Sequence, residues 1–298
     1  MVRLGFSDKF MMISIYVFLT ALSFSALYPF WNALVVSFNT GVDTSMGGVT
    51  FWPRAFTLEN YEIVFNDSRL LNGFFISFSR TIVGTATSIL MTAILAYGMT
   101  KKNLIGRNQY MVFFIITMYF SGGLIPTFLL MRSLGLMNSF WVFIIPGLIS
   151  VWNMIIFRTF FKSLPNGLEE SAQIDGCTNW GILFRIILPL SGPVIATLAL
   201  FTAVNHWNDW FLPSIYITNE KLLPIQTMLR QILNANIVTD QVAQLDSASQ
   251  ARMEAMRTVT SKSLTMATMM VVTLPIIMVY PFVQKYFVKG VLVGSLKE

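Results

Sequence analysis

Six long apolar runs constrain this chain more than any other feature of it. They lie at about 10–34, 74–98, 110–131, 140–161, 190–212 and 264–287. Each is close to the ~20 residues needed to cross a ~30 Å hydrocarbon core. In lipid, only a helix or a closed barrel satisfies every backbone group, and these runs lack the period-two alternation of barrel strands. The expected fold is an all-α membrane protein of six transmembrane helices, one domain over residues 1–298.

Composition decides what the net charge of +6 means. Charged residues are 11% of the chain and apolar ones 55%, where soluble domains carry about 25% charged residues. In such a chain Lys and Arg report loop placement, and no nucleic-acid partner is expected. With the N-terminus inside, Arg3, Lys9, Lys101, Lys102, Arg107, Arg158, Lys162, Arg185, Lys285, Lys289 and Lys297 share one side with only five acids, while the other side is balanced. The short basic segments are therefore read as cytosolic, and both termini with them. Arg3 and Lys9 precede the first run as they would in a signal peptide. That run reaches Val36 without a small-residue cleavage site, so a retained first span is expected. Gly122, Gly123 and Pro126 predict a bent or broken third span, as a packing kink or along a water-lined path.

A polar island, Leu168–Pro193, interrupts the apolar pattern. Asn166 is expected to cap a helix over 167–175, with Glu169 closing a capping box. Gly176 suits the left-handed turn that ends it. Thr178 then caps a second helix to about 187, stopped near Pro189. Ser171 and Ala172 give the first helix a small side that another protein can approach closely. Cys177, the single cysteine, is read as a packing residue and excludes an intramolecular disulfide.

The spacing Glu170-x-Ala172-x-x-Asp175-Gly176, then Phe184, Ile187-Leu188-Pro189 and Pro193, resembles the cytosolic EAA loop of permease subunits in binding-protein-dependent ABC importers of the maltose-importer kind. Ser171 and Cys177 stand where that family commonly has Ala. The resemblance implies a type I ABC importer permease fold in a bacterial inner membrane, surrounded by lipid. It implies docking of the first island helix into an ATPase cleft, with Glu169, Glu170, Ser171, Ala172, Asp175, Gly176 and Cys177 as coupling residues on the loop 162–189. Its partners would be a second related permease, two cytosolic ATPase subunits and an extracytoplasmic solute-binding protein. The outer loop 216–263 would engage that binding protein, and Gln284–Gly290 resembles the family's ending, which reaches toward the ATPases. Within the family the chain is similar to the smaller permease of maltose, alginate or pectin-oligosaccharide importers, which implies a carbohydrate solute.

No Gly-x-x-x-x-Gly-Lys-Ser/Thr occurs, so this chain has no P-loop, and ATP and magnesium are left to partner subunits. One histidine excludes His-rich metal sites, and no Gly-x-Ser-x-Gly elbow is present. No enzyme, no cofactor and no metal are expected. Arg80, inside the second run, is read first as snorkelling to the outer headgroups. Its second reading is a solute path that favours an acidic substrate. At the end of the fifth run, Asn205, Trp207, Asn208, Asp209 and Trp210 combine hydrogen-bonding groups with aromatic faces, as a sugar ring requires, and are read either as part of the solute path or its outer gate or as helix–helix packing. His206 among them is read as packing. Two other readings remain. An ion-gradient-driven secondary transporter would show intramembrane carboxylates and repeats. A membrane scaffold would need no polar path.

Overall fold

The computed structural model describes residues 6–234 and 261–295. Apart from one isolated bridge between Asn39 and Phe56, these residues are helical or in loops and form no strands. Among the described residues, three helices are long and apolar enough to cross a membrane, or up to six if each of three bent pairs is one span. The long ones are α1 (Phe6–Ser37), α4 (Ser68–Gly98) and α13 (Ser261–Ser295), and they contain the first, second and sixth runs.

The other three runs break, each for a local reason. The third divides into α5 (Arg107–Tyr119) and α6 (Leu124–Ser133), bent by 112° at Phe120–Gly123. The fourth was expected as one helix. It instead makes two 3-10 turns, Phe140–Phe143 and Ile145–Gly147, before α7 (Val151–Ser163). Pro146 lacks the N–H a continuous helix would use, and Ser150 starts α7 afresh by accepting from the Asn153 N–H at 3.3 Å. The fifth is α10 (Gly192–Asn208), which stops at Asp209 and not at residue 212. The Asp209 carboxylate accepts from the N–H groups of Phe211 and Leu212, both at 3.2 Å, and so caps α11 (Phe211–Tyr216).

Between α1 and α4 lie α2 (Gly41–Ser45) and α3 (Glu59–Asn66). Two buried asparagines organise this stretch. The Asn39 amide accepts from Ala55 N–H at 2.9 Å and donates to Asp43 and Thr44. That amide, with Arg54, holds the Asp43 carboxyl below its usual range. Asn60 donates to the carbonyls of Ser37 and Asn39 and accepts from Ser263. Every polar atom of the two side chains thus finds a partner, which burial demands.

By contact the chain groups into two units, Met1–Ser68 with Leu229–Thr273, and Arg69–Met228 with Leu274–Glu298. The polar island and the 205–210 cluster both fall in the second. Its core joins α4, α7 and the polar island through Ala93, Ala96, Met154, Phe157, Ile182 and Leu183, each essentially inaccessible. In the loop expected at 216–263, Leu223, Ile225, Met228 and Leu229 are buried, the last three in a helix, α12, described over 225–234. The polar stretch of that loop beyond 234 lies outside the described residues.

Candidate functional site

The polar island forms α8 (Asn166–Ile174), a turn at Gly176, and α9 (Asn179–Ile182), which runs on through a π turn at Leu183–Ile187. Gly176 adopts φ +77°, the left-handed conformation that side chains disfavour. Thr178 Oγ1 accepts from Gly181 N–H at 3.2 Å, the expected cap. The start of α8 differs from expectation. The helix begins one residue earlier, behind Pro165, and has no side-chain cap. Glu169 closes no capping box because stronger partners lie nearby. Its carboxylate accepts from the Tyr97 hydroxyl at 2.9 Å and pairs with Lys101, whose ammonium also donates to Tyr97 at 2.6 Å. Lys101 stacks over the Tyr97 ring at 4.2 Å, and burial holds its ammonium below the usual lysine range.

Ala172 is also turned inward. It is buried against α4 and α7, so its small size admits this chain's own core. The outer side of the island carries Glu170, Ser171, Asp175 and Gly176, all exposed, with Cys177 half-buried behind the turn. Ile174 is 86% exposed, and Trp180 and Phe184 stack on each other at 6.1 Å while facing outward. Apolar side chains this open on a short polar helix are what a partner surface looks like.

The second region is a cavity of about 1740 Å³ lined along α7 and α10. It exceeds the about 300–1,000 Å³ typical of pockets for single small molecules. Its walls mix aromatic faces such as Trp152 and Phe201 with the polar side chains of Ser88, Asn153, Asn205 and Asp209. His206 joins that wall too, and Gly84 admits its ring. A Cβ at position 84 would lie 2.6 Å from the imidazole.

The expected cluster at 205–210 therefore divides. Asn205 and Asp209 reach the cavity. Trp207 is buried edge-on against Phe74, Asn208 accepts from Gln226 at 3.4 Å, and Trp210 packs edge-on against Phe211. None of these three lines the cavity. The spacing of Thr197, Phe201, Asn205 and Asp209, every fourth residue, marks the lining face in the sequence.

Arg80 departs furthest from expectation. It is 1% exposed and does not snorkel. One terminal nitrogen donates to the Asp209 carbonyl, and the other lies 3.7 Å from the Asp209 carboxylate. The guanidinium sits over the Phe143 ring at 5.2 Å, and Nε has no acceptor among the described residues. The carbonyl it meets is at the C-terminal end of α10, where a helix carries partial negative charge. That attraction explains why the side chain turns inward.

Against known proteins, residues 88–293 match the family model described as the binding-protein-dependent transport system inner membrane component. The chain is 39% identical, over 95% of its length and 96% of the relative's, to the polygalacturonan/rhamnogalacturonan transport system permease protein YtcP of Bacillus subtilis (strain 168). It is 40% identical to protein LplC of the same organism, over 94% and 92%. A solved structure, a bacterial ABC transporter involved in the import of the acidic polysaccharide alginate, has a chain similar at TM-score 0.86 and 27% identity, covering 96% of this chain and 100% of that one.

Proposed function

This chain belongs to the family of inner membrane components of binding-protein-dependent transport systems, and on that premise we propose that it is the permease subunit of an ATP-driven importer of acidic oligosaccharides. The single observation that carries the acidic preference is Arg80. Its charge is buried, the Asp209 carboxylate stands 3.7 Å away, beyond hydrogen-bond distance, and Nε has no acceptor among the described residues. A buried cation short of acceptors attracts an anion strongly because water cannot compete. Arg80 does not itself line the cavity, but Asp209 does, so a uronate carboxylate that takes the place of the Asp209 carboxylate is the matching ligand, and aromatic faces with amide and hydroxyl groups suit the rest of the sugar. The names of the pectin-type relative and the alginate importer support the same solute class.

Transport energy comes from partners. In this reading the outer face of α8, with Glu170, Ser171 and Ile174, docks into a cleft on an ATPase subunit, and Asp175, Gly176 and Cys177 set the turn behind it. A second permease completes the path, and a solute-binding protein delivers the sugar. Both termini are cytosolic. Docking biases transport only if its contacts differ between the open and closed ATPase states.

The test is uptake by proteoliposomes holding the full assembly, with labelled oligogalacturonate and a neutral oligosaccharide of equal length. Native protein is expected to import the acidic chain in preference, and Arg80→Gln to abolish that preference. Gly176→Leu is expected to insert normally, keep ATP hydrolysis and lose uptake. Equal uptake of both sugars by native protein counts against the solute class. Full uptake by Gly176→Leu counts against docking.

A further inference from the structure

Two adjacent carboxylates on α8 point to different partners. Consecutive residues lie about 100° apart around a helix, and residues three or four apart share a face. Glu170, Gln173 and Ile174 face out. Glu169 and Ala172 face in, Ala172 against the core and Glu169 against Tyr97 and Lys101.

The inward contact ends on one continuous rod. α4 runs unbroken from Ser68 to Gly98, with Tyr97 near one end and Lys101 just past it. Seventeen residues back along the same helix, about 26 Å at 1.5 Å per residue, Arg80 holds Asp209 at the cavity wall. Gly84, between them, receives His206 of that wall. By contrast, the covalent route from the island to the cavity passes a π turn and an 82° bend before α10. A bent and irregular segment transmits displacement poorly, and a straight helix transmits it well.

Apolar packing of Ala172 resists compression, but it is non-directional and lets surfaces slide. A hydrogen-bonded triad of acid, phenol and ammonium is directional. We infer that Glu169, Tyr97 and Lys101 form an internal strut that carries the movement of α8 to α4, and through α4 to the Arg80–Asp209 end of the cavity. Glu169 is then a positioning residue facing its own chain, while its neighbour Glu170 faces the ATPase. Arg158, whose Nε donates to the Met99 carbonyl at 3.1 Å, ties the same end of α4 to α7 and steadies the joint.

This inference rests on the docking of α8 proposed above, and the experiment separates the two. The assembled importer is reconstituted with Glu169→Gln, with Tyr97→Phe, and with the charge exchange Glu169→Lys plus Lys101→Glu. ATP hydrolysis and solute uptake are measured on the same vesicles. For Glu169→Gln, ATPase subunits co-purify and hydrolyse ATP, while ATP spent per solute rises about tenfold, inside the about 5–150-fold span of coupling energies. Tyr97→Phe, which keeps the packing shape, shifts the ratio the same way by less. The charge exchange brings the ratio back toward native. A native ratio in Glu169→Gln overturns the strut, as does loss of the ATPase subunits on purification, which would make Glu169 a docking contact. A charge exchange no better than the single variant also overturns it. Separately, Ile174→Cys is expected to crosslink to an ATPase subunit. If it does not, docking fails whatever the strut variants show.

Discussion

Two ion pairs fasten α4 to other elements of its unit, and they are built differently. Lys101 and Glu169 are 25% and 29% exposed, whereas Arg80 is 1% exposed against a 30% exposed Asp209. Where water reaches both partners, pairing contributes little net stability, so the contact at the island orients α8 against α4 without holding the fold together. Where the cation is sealed in, removing its partner strands a charge at high cost. The same chemistry thus makes a positioning contact at the island and a stability-bearing one at the cavity. The difference is set by burial, not by residue type.

The largest expected effect comes from the cavity end. Asp209→Ala should destabilise the purified protein by about 3 kcal/mol in detergent-based thermal unfolding. That is the low end of the about 3–5 kcal/mol for stripping a partner from a buried pair, because this carboxylate is only half-buried. Asp209→Asn keeps an acceptor for the α11 cap and isolates the charge contribution. Next, Gly84→Ala should cost about 1–3 kcal/mol through overpacking against His206, and that cost should shrink in a His206→Ala background. No relief there would mean the ring is not what fills the site. The smallest effect belongs to the island end. Glu169→Gln should change stability by no more than about 1 kcal/mol, although coupling is lost. A loss as large as that of Asp209→Ala would erase the contrast between the two pairs.

Much of the island was legible without a structure. Thr178 caps where a threonine before a helix should, and Gly176 turns left-handed where only glycine does so freely. The break near Gly123 and Pro126 follows from local chemistry as well. The partners of charges were not legible. Arg80 and Asp209 are 129 residues apart in the chain, and Glu169 and Tyr97 are 72 apart. A carboxylate three residues into a helix reads as a capping-box acid until a phenol and an ammonium are known to stand beside it. Trp207 and Trp210 read as sugar-stacking faces, yet one is buried against Phe74 and neither meets the cavity. The periodicity of Thr197, Phe201, Asn205 and Asp209 held better information, since it reports which side of one helix is polar.

Hydropathy and turn chemistry determined by themselves a helical membrane protein with a small polar knuckle between its spans, and the knuckle's resemblance to a known loop pointed to the transport family that the family model shows. Those are local properties, settled by a backbone that must satisfy itself in lipid and by residues a few positions apart. Only the tertiary structure decided which carboxylate of the knuckle faces inward, and that Arg80 is buried where a headgroup contact was expected. Such choices depend on distances through space between helices far apart in the chain, and on how much water each pair keeps.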